Sequence, residues 1–261
     1  MPRRRFTIPI SIVLFLAATL VGTYLVRKRV LECHMAAVLD VEDREAVLAM
    51  AHSWPSSANA RAARGWTALH WGASTGDSEL ARALIRHGAD VNARTVGGEG
   101  WPIYTPLIYA VDRGHHALAV MLLEAGADPE GARNDGDWPL RNAVAHGDTD
   151  MMRILLAHGA DIERRDVNGY TVLLHAVAHE QPASVAFLLW MGADVRVHDK
   201  DRWTALHLAT RQCRSDLAEQ LLSYGADVNA RNDDGKTPLA IARRQVMETM
   251  VQLLITHRAK E

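Results

Sequence analysis

The sequence predicts an all-α solenoid of helix–turn–helix units joined by extended, hairpin-like fingers, preceded by an N-terminal transmembrane helix. Three observations carry that prediction: two marker tripeptides recur every 33 residues, both series absorb one shared insertion, and a 19-residue uncharged span stands between basic residues. Composition agrees, since a 48% hydrophobic and 23% charged chain is a folded protein and not a disordered one. Two cysteines, Cys33 and Cys213, can neither staple 261 residues nor form a metal knuckle.

The first element is the span. Arg3, Arg4 and Arg5 precede it and Arg27, Lys28 and Arg29 follow it, so residues 1–29 form a basic flank and an anchor with its span at 8–26. Nineteen residues make a helix of about 28 Å, close to the hydrocarbon thickness of a bilayer. Eleven of them are Ile, Leu, Val or Phe, which favours insertion by roughly 3–7 kcal/mol before the polar residues are counted. A cleaved secretory signal is the competing reading, but its apolar middle is shorter and no A-x-A site precedes Arg27. A buried core helix is opposed by the basic residues at both ends. Basic residues are nearly balanced across the span, and the short leading tail places the amino terminus inside and the large domain outside. Residues 30–61 are then a juxtamembrane segment and an atypical capping unit, because Asn59-Ala60-Arg61 stands 33 residues before Asn92-Ala93-Arg94.

The repeats follow. Gly-Ala-Asp begins at Gly88, Gly126, Gly159, Gly192 and Gly225, at intervals of 38, 33, 33 and 33. A second series ends on Leu69, Leu107, Leu140, Leu173, Leu206 and Leu239, with intervals of 38 and then 33 four times. Six units result, over about 62–94, 95–133, 134–165, 166–198, 199–231 and 232–261. Three residues past each marker leucine stands Gly72, Ala110, Ala143, Ala176, Ala209 or Ala242, small enough to let a short helix lie against its neighbour. About fifteen residues past it comes an apolar pair such as Leu84-Ile85, Leu188-Leu189 or Leu254-Ile255. The pair continues a helical stripe from residues such as Leu80 and Val185. Thr105-Pro106 and Thr237-Pro238 are helix starts, hydroxyl cap before proline. The glycine of Gly-Ala-Asp is a left-handed helix stop, and the Asp or Asn beyond it suits a turn.

At these residues the chain resembles the ankyrin-repeat family. Gly65-Trp-Thr-Ala-Leu-His70, Trp203-Thr-Ala-Leu-His-Leu-Ala209 and Gly225-Ala-Asp-Val-Asn-Ala230 carry the likeness, which covers about residues 62–259. The resemblance implies a stacked array whose concave side is lined by finger residues and first helices. It also implies that the imidazoles of His70 and His207 hydrogen-bond within their own repeats. The chain departs from the pattern where Glu180, Cys213 and Val246 replace the glycine between two helices, so reshaped or strained turns are expected there. Arg258 in place of the last glycine marks the end of the array, and the insertion Thr95–Tyr104 lengthens one finger.

Sites for chemistry are scarce. Thirteen histidines supply no three or four ligands at zinc spacing, and Asp199-Lys-Asp201 and Asn232-Asp-Asp234 lack the glycine and glutamate of a calcium loop. No phosphate loop or nucleophile elbow occurs, so no cofactor, metal, small-molecule substrate or catalytic residue is expected. Six of the 29 Lys and Arg lie in residues 1–29, leaving the body at 23 − 31 = −8, which disfavours nucleic acid. The resemblance instead implies a protein-binding column at the residue before each marker threonine: Trp66, Tyr104, Asp137, Tyr170, Trp203 and Lys236. Beside it stand Arg113, His146, His179 and Arg211, ahead of the inter-helix turns. Trp, Tyr and Arg dominate the energetics of protein interfaces. The expected function is a membrane-anchored scaffold that holds an unidentified protein partner, with the lipid bilayer contacted through residues 8–26. Arg outnumbers Lys 25 to 4, which points to a GC-rich, bacterial genome, an inner-membrane location and periplasmic repeats. An immunity-type protein that neutralises a toxin in the envelope is the second reading. An enzyme with a site near Glu99 in the insertion is the third.

Overall fold

The computed structural model describes residues 58–96, 103–131 and 138–260. The anchor at 8–26, nearly all of the capping segment 30–61, residues 97–102 of the insertion and Asp137 lie outside the described residues. Among the described residues no helix is long and apolar enough to cross a membrane.

Among the described residues twelve α-helices follow in six pairs. They are α1 (Ala68–Thr75) with α2 (Ser78–Arg86), α3 (Pro106–Asp112) with α4 (His116–Glu124), and α5 (Pro139–His146) with α6 (Thr149–Ala157). Then come α7 (Val172–Ala178) with α8 (Pro182–Trp190), α9 (Ala205–Arg211) with α10 (Ser215–Ser223), and α11 (Pro238–Arg244) with α12 (Glu248–Thr256). Their starts are built as the sequence predicts. The hydroxyls of Thr105 and Thr237 accept from the Ile108 and Ala240 N–H groups, with proline in the first turn. Asp77 and Asp148 cap α2 and α6 in the same way, through the Leu80 and Met151 N–H groups. Pro182 occupies the first turn of α8, where its missing donor costs nothing.

Burial explains why such short helices persist. None could hold its shape alone in water, yet Leu80, Leu84, Leu122, Met151, Leu155, Val185, Leu188, Leu217, Leu221, Met250 and Leu254 are all 0% exposed. The apolar pairs divide their labour: the first member is always sealed, whereas the second ranges from 4% exposed at Leu189 to 44% at Ile255. First helices pack in one row and second helices in another, and the first row is the more closely packed. The small residues Gly72, Ala110, Ala143, Ala176, Ala209 and Ala242, all buried, permit that approach. Rows of unequal spacing bend the array, with the first helices on the inner side.

The inter-helix turns are not reshaped where glycine is lost. Glu180, Cys213 and Val246 adopt φ of 55°, 60° and 57°, beside 75°, 69° and 70° at Gly76, Gly114 and Gly147. The closing amide bond also persists, from Gln181, Arg214 and Met247 N–H to the carbonyls of Ala176, Ala209 and Ala242 at 3.0 Å. The chain therefore bears the strain, which for a side chain in the left-handed region is about 1–2 kcal/mol. Val246 is the extreme case, β-branched and 78% exposed. Val246→Gly is expected to stabilise the protein by about 0.5–1 kcal/mol after the entropy of glycine is subtracted, measured as a higher urea midpoint at unchanged slope.

Arg258 likewise keeps a glycine's backbone. It takes φ of 68°, and the Ala259 N–H closes on the Leu254 carbonyl at 3.0 Å. The same bond joins Ala226 to Leu221 after Gly225, so losing the glycine does not alter the stop.

Side chains and backbone together hold the fingers, and among the described residues the one bridge of β type pairs His198 with Thr204. Asp166, Asp199 and Asn232 each accept from the N–H four residues on, at Tyr170, Trp203 and Lys236. The acid-rich stretches are thus finger turns. The insertion leaves this device intact. Thr95 Oγ1 accepts from the Tyr104 N–H at 2.8 Å and the Thr95 N–H donates to the Tyr104 carbonyl at 3.0 Å. A spacing of nine in place of four accounts for the five extra residues.

Candidate protein-binding face

The finger column runs along the inner helices. Trp66, Tyr104, Tyr170, Trp203 and Lys236 are all half-buried, and Arg113, His146, His179 and Arg211 are exposed beside them. Half-burial means that each ring both packs on a helix and presents an edge or face outward. Asp137 lies outside the described residues.

Two aromatic groups result. At the leading end, Trp66 and Tyr104 both rest on Tyr109 of α3, with ring centroids 4.9 and 5.2 Å away, the second edge-on. Farther along, Tyr170 lies 5.2 Å from His175 of α7, and His175 stacks on His179 at 6.2 Å. Trp203 carries the Arg211 guanidinium 4.8 Å above its ring, a cation–π contact. The rings are thus held in place, which lowers the entropy lost on binding. Burial raises the phenol pKa of Tyr109 and Tyr170, so both hydroxyls remain protonated at neutral pH.

Tyr109 and His175 are members of this face that the column rule does not include. Both stand two residues after a marker leucine, as does half-buried Trp71, and that offset is the signal that finds them. Trp138 behaves differently. It occupies a marker-threonine position, is 1% exposed, and lies under the Arg164 guanidinium at 4.7 Å. Arg164 is in turn paired with Glu130 at 2.9 Å. Trp138 is a wedge between fingers.

The marker histidines do more than bond within their own repeats. The Thr67 N–H donates to His70 Nδ1 at 3.2 Å. That fixes Nδ1 as the acceptor, so Nε2–H donates to the Tyr104 carbonyl of the next finger at 3.2 Å. His207 repeats the arrangement between Thr204 and the Lys236 carbonyl, 3.1 Å away. Burial holds His70 down to a pKa of about 4. His175 is also lowered to about 4, by burial and then by Arg141, despite Asp166 at 3.1 Å. At neutral pH the His175–Asp166 contact is therefore a hydrogen bond from a neutral imidazole, not an ion pair.

Among the described residues no group of three or more His, Cys, Asp or Glu could hold a metal ion. Cys213 is exposed on a strained turn. The face thus presents packed rings and exposed charged side chains along a stacked repeat array.

Sequence comparison gives that array its family. The profile for ankyrin repeats (3 copies) matches residues 34–133 and 173–261, and that for ankyrin repeats (many copies) matches residues 140–189. The chain belongs to the ankyrin-repeat family. It is similar to protein phosphatase 1 regulatory subunit 27 of Mus musculus, 36% identical over 75 residues, covering 29% of this chain and 46% of that protein. It is 35% identical to Rabankyrin-5 of Homo sapiens over 88 residues, 31% of this chain and 7% of that protein. Palmitoyltransferase Hip14 of Drosophila melanogaster is 43% identical over 63 residues, 24% of this chain and 9% of that enzyme. The chain thus spans less than half the length of each of these relatives.

Proposed function

We propose that this protein is a membrane-anchored adaptor that holds a protein partner noncovalently in the groove between its fingers and first helices. The observation that carries the reading is the line of half-buried, packed rings at Trp66, Tyr104, Tyr170 and Trp203, edged by exposed Arg113, His146, His179 and Arg211. A rigid aromatic surface with arginine at its rim is what a protein hot spot requires. One similar protein is by name a phosphatase regulatory subunit, which suits an adaptor better than an enzyme. The uncharged span 8–26 between basic clusters supplies the anchor. On a bacterial source, for which the animal relatives give no support, the repeats would stand on the periplasmic side of the inner membrane.

Affinity capture with wild type beside a Trp66→Ala, Tyr170→Ala, Trp203→Ala variant tests the groove. Removing one anchor is expected to weaken the partner by about 2 kcal/mol, roughly thirtyfold, so the triple variant should lose it from the eluate. An unchanged set of captured proteins would exclude the groove as the contact surface. Alkaline carbonate washing should leave the full chain in membranes, and release of a shortened soluble form would remove the anchor. Protease protection of intact cells and spheroplasts assigns the side on which the repeats stand.

A further inference from the structure

Successive fingers are tied by backbone bonds and by two columns of side chains, and at one step both columns break while the bond from the Asp233 N–H to the Asp201 carbonyl, 3.1 Å, remains. In the first column Asn59, Asn92, Glu130, Glu163 and Asn229 each accept from a backbone N–H of the next unit, at 2.7–2.8 Å. The remaining member is Arg196, which carries no acceptor. In the second column Arg61 and Arg165 each reach the carbonyl 33 residues on, at 2.7 Å. The member after Arg165 is His198, which turns back to the Asp199 carbonyl at 2.8 Å. A third departure lies alongside: Arg202 stands where Gly65, Gly169 and Gly235 stand, and holds their left-handed backbone at φ of 60°. A cleft of about 400 Å³ opens at this step, lined by Arg196, His198, Arg202, Asp227 and Arg231.

The chemistry of the cleft is that of a receptor for carboxylates. Three guanidinium groups face one aspartate within a body whose net charge beyond residue 29 is 23 − 31 = −8. Arg231 is committed to the Gly235 carbonyl at 2.8 Å, whereas the Arg196 and Arg202 side chains have no hydrogen-bond or ion-pair partner among the described residues. Arg202 holds its place at a cost of about 1–2 kcal/mol in backbone strain, which its exposed side chain does not recover by packing. The planar forks of arginine match carboxylate oxygens two at a time. An acidic body repels an extended polyanion such as nucleic acid but admits a short acidic segment at a local cationic cleft. We propose that this cleft binds an acidic segment of the protein partner, with its carboxylates on Arg196 and Arg202. The proposal rests on the adaptor reading and adds a second contact outside the aromatic groove.

The test uses the full chain in nonionic detergent and a fluorescein-labelled short polyglutamate peptide, followed by anisotropy at low and high salt. Arg196→Asn and Arg202→Gly restore the residues found at equivalent positions, so the double variant should melt at or above the wild-type temperature. Its affinity for the peptide is expected to fall at least about tenfold, as is that of wild type at high salt. Arg82→Ala, exposed on α2 and outside both surfaces, should leave peptide binding unchanged, which separates this contact from a general loss of positive charge. Equal binding by the double variant overturns the proposal. So does displacement of the peptide by inorganic phosphate at concentrations where free glutamate has no effect, since that would define a phosphate site.

Discussion

Leu188→Ala is expected to cost roughly 3–5 kcal/mol and to split unfolding into two transitions. Leu188 is 0% exposed in α8, which packs on α7 of its own unit and on α6 and α10 of the flanking ones. Truncation removes the transfer energy of the buried atoms and leaves a cavity that neighbours held by their own helices cannot fill. Each repeat contacts only adjacent repeats, so weakening the central unit uncouples the leading half from the trailing half. Urea titration followed by both circular dichroism and tryptophan fluorescence reads this directly, because coincident curves in wild type should separate in the variant. Ile255→Ala is the control, at a position 44% exposed, with an expected cost within about 1 kcal/mol. Equal costs at the two positions would contradict the division of labour within the apolar pairs.

Acidification is expected to produce the second large effect. His70 and His175 have folded-state pKa values of about 4, below the ordinary histidine value near 6.5, and burial lowers His207 as well. A folded-state pKa below the unfolded one means that the unfolded chain binds the proton more readily. The stabilisation is therefore complete above about pH 6.5 and is lost as pH falls toward 4. His70 and His175 each contribute on the order of 3 kcal/mol to that loss. The geometry supplies the mechanism: a proton on His70 Nδ1 would compete with the Thr67 N–H that now donates there at 3.2 Å. Thermal melts at pH 7.5 and 4.5 should differ by many degrees, and His70→Gln should flatten the profile relative to wild type. A wild-type melting temperature independent of pH across this window would refute neutral buried imidazoles.

Much of the fold was legible because a repeated unit writes the same physical requirement several times. The 33-residue period, the buried stripe through each apolar pair, the threonine caps before proline and the glycine stops all follow from sequence and recur in the structure. The five-residue insertion could be located from its two flanking markers, and the Thr95–Tyr104 base shows why it does not disturb the stack. The face was legible in part. The residue ahead of each marker threonine was identifiable, whereas Tyr109 and His175, two residues after a marker leucine, gained their place when their rings lay beside Trp66, Tyr104 and Tyr170.

Local sequence determined what depends on a few neighbouring residues: helix starts, helix stops, the burial stripe and the count of units. Tertiary structure decided what depends on the next repeat. It showed that Glu180, Cys213 and Val246, each between two packed helices, keep a glycine's backbone, as does Arg258 after the last described helix. It made Trp138 a buried wedge, and it made His70 and His207 links between fingers. It also joined Arg196, His198 and Arg202 around one cleft. Those outcomes depend on contacts about 30 residues apart in sequence, and burial energy sums over all partners in space, which a period read along the chain does not contain.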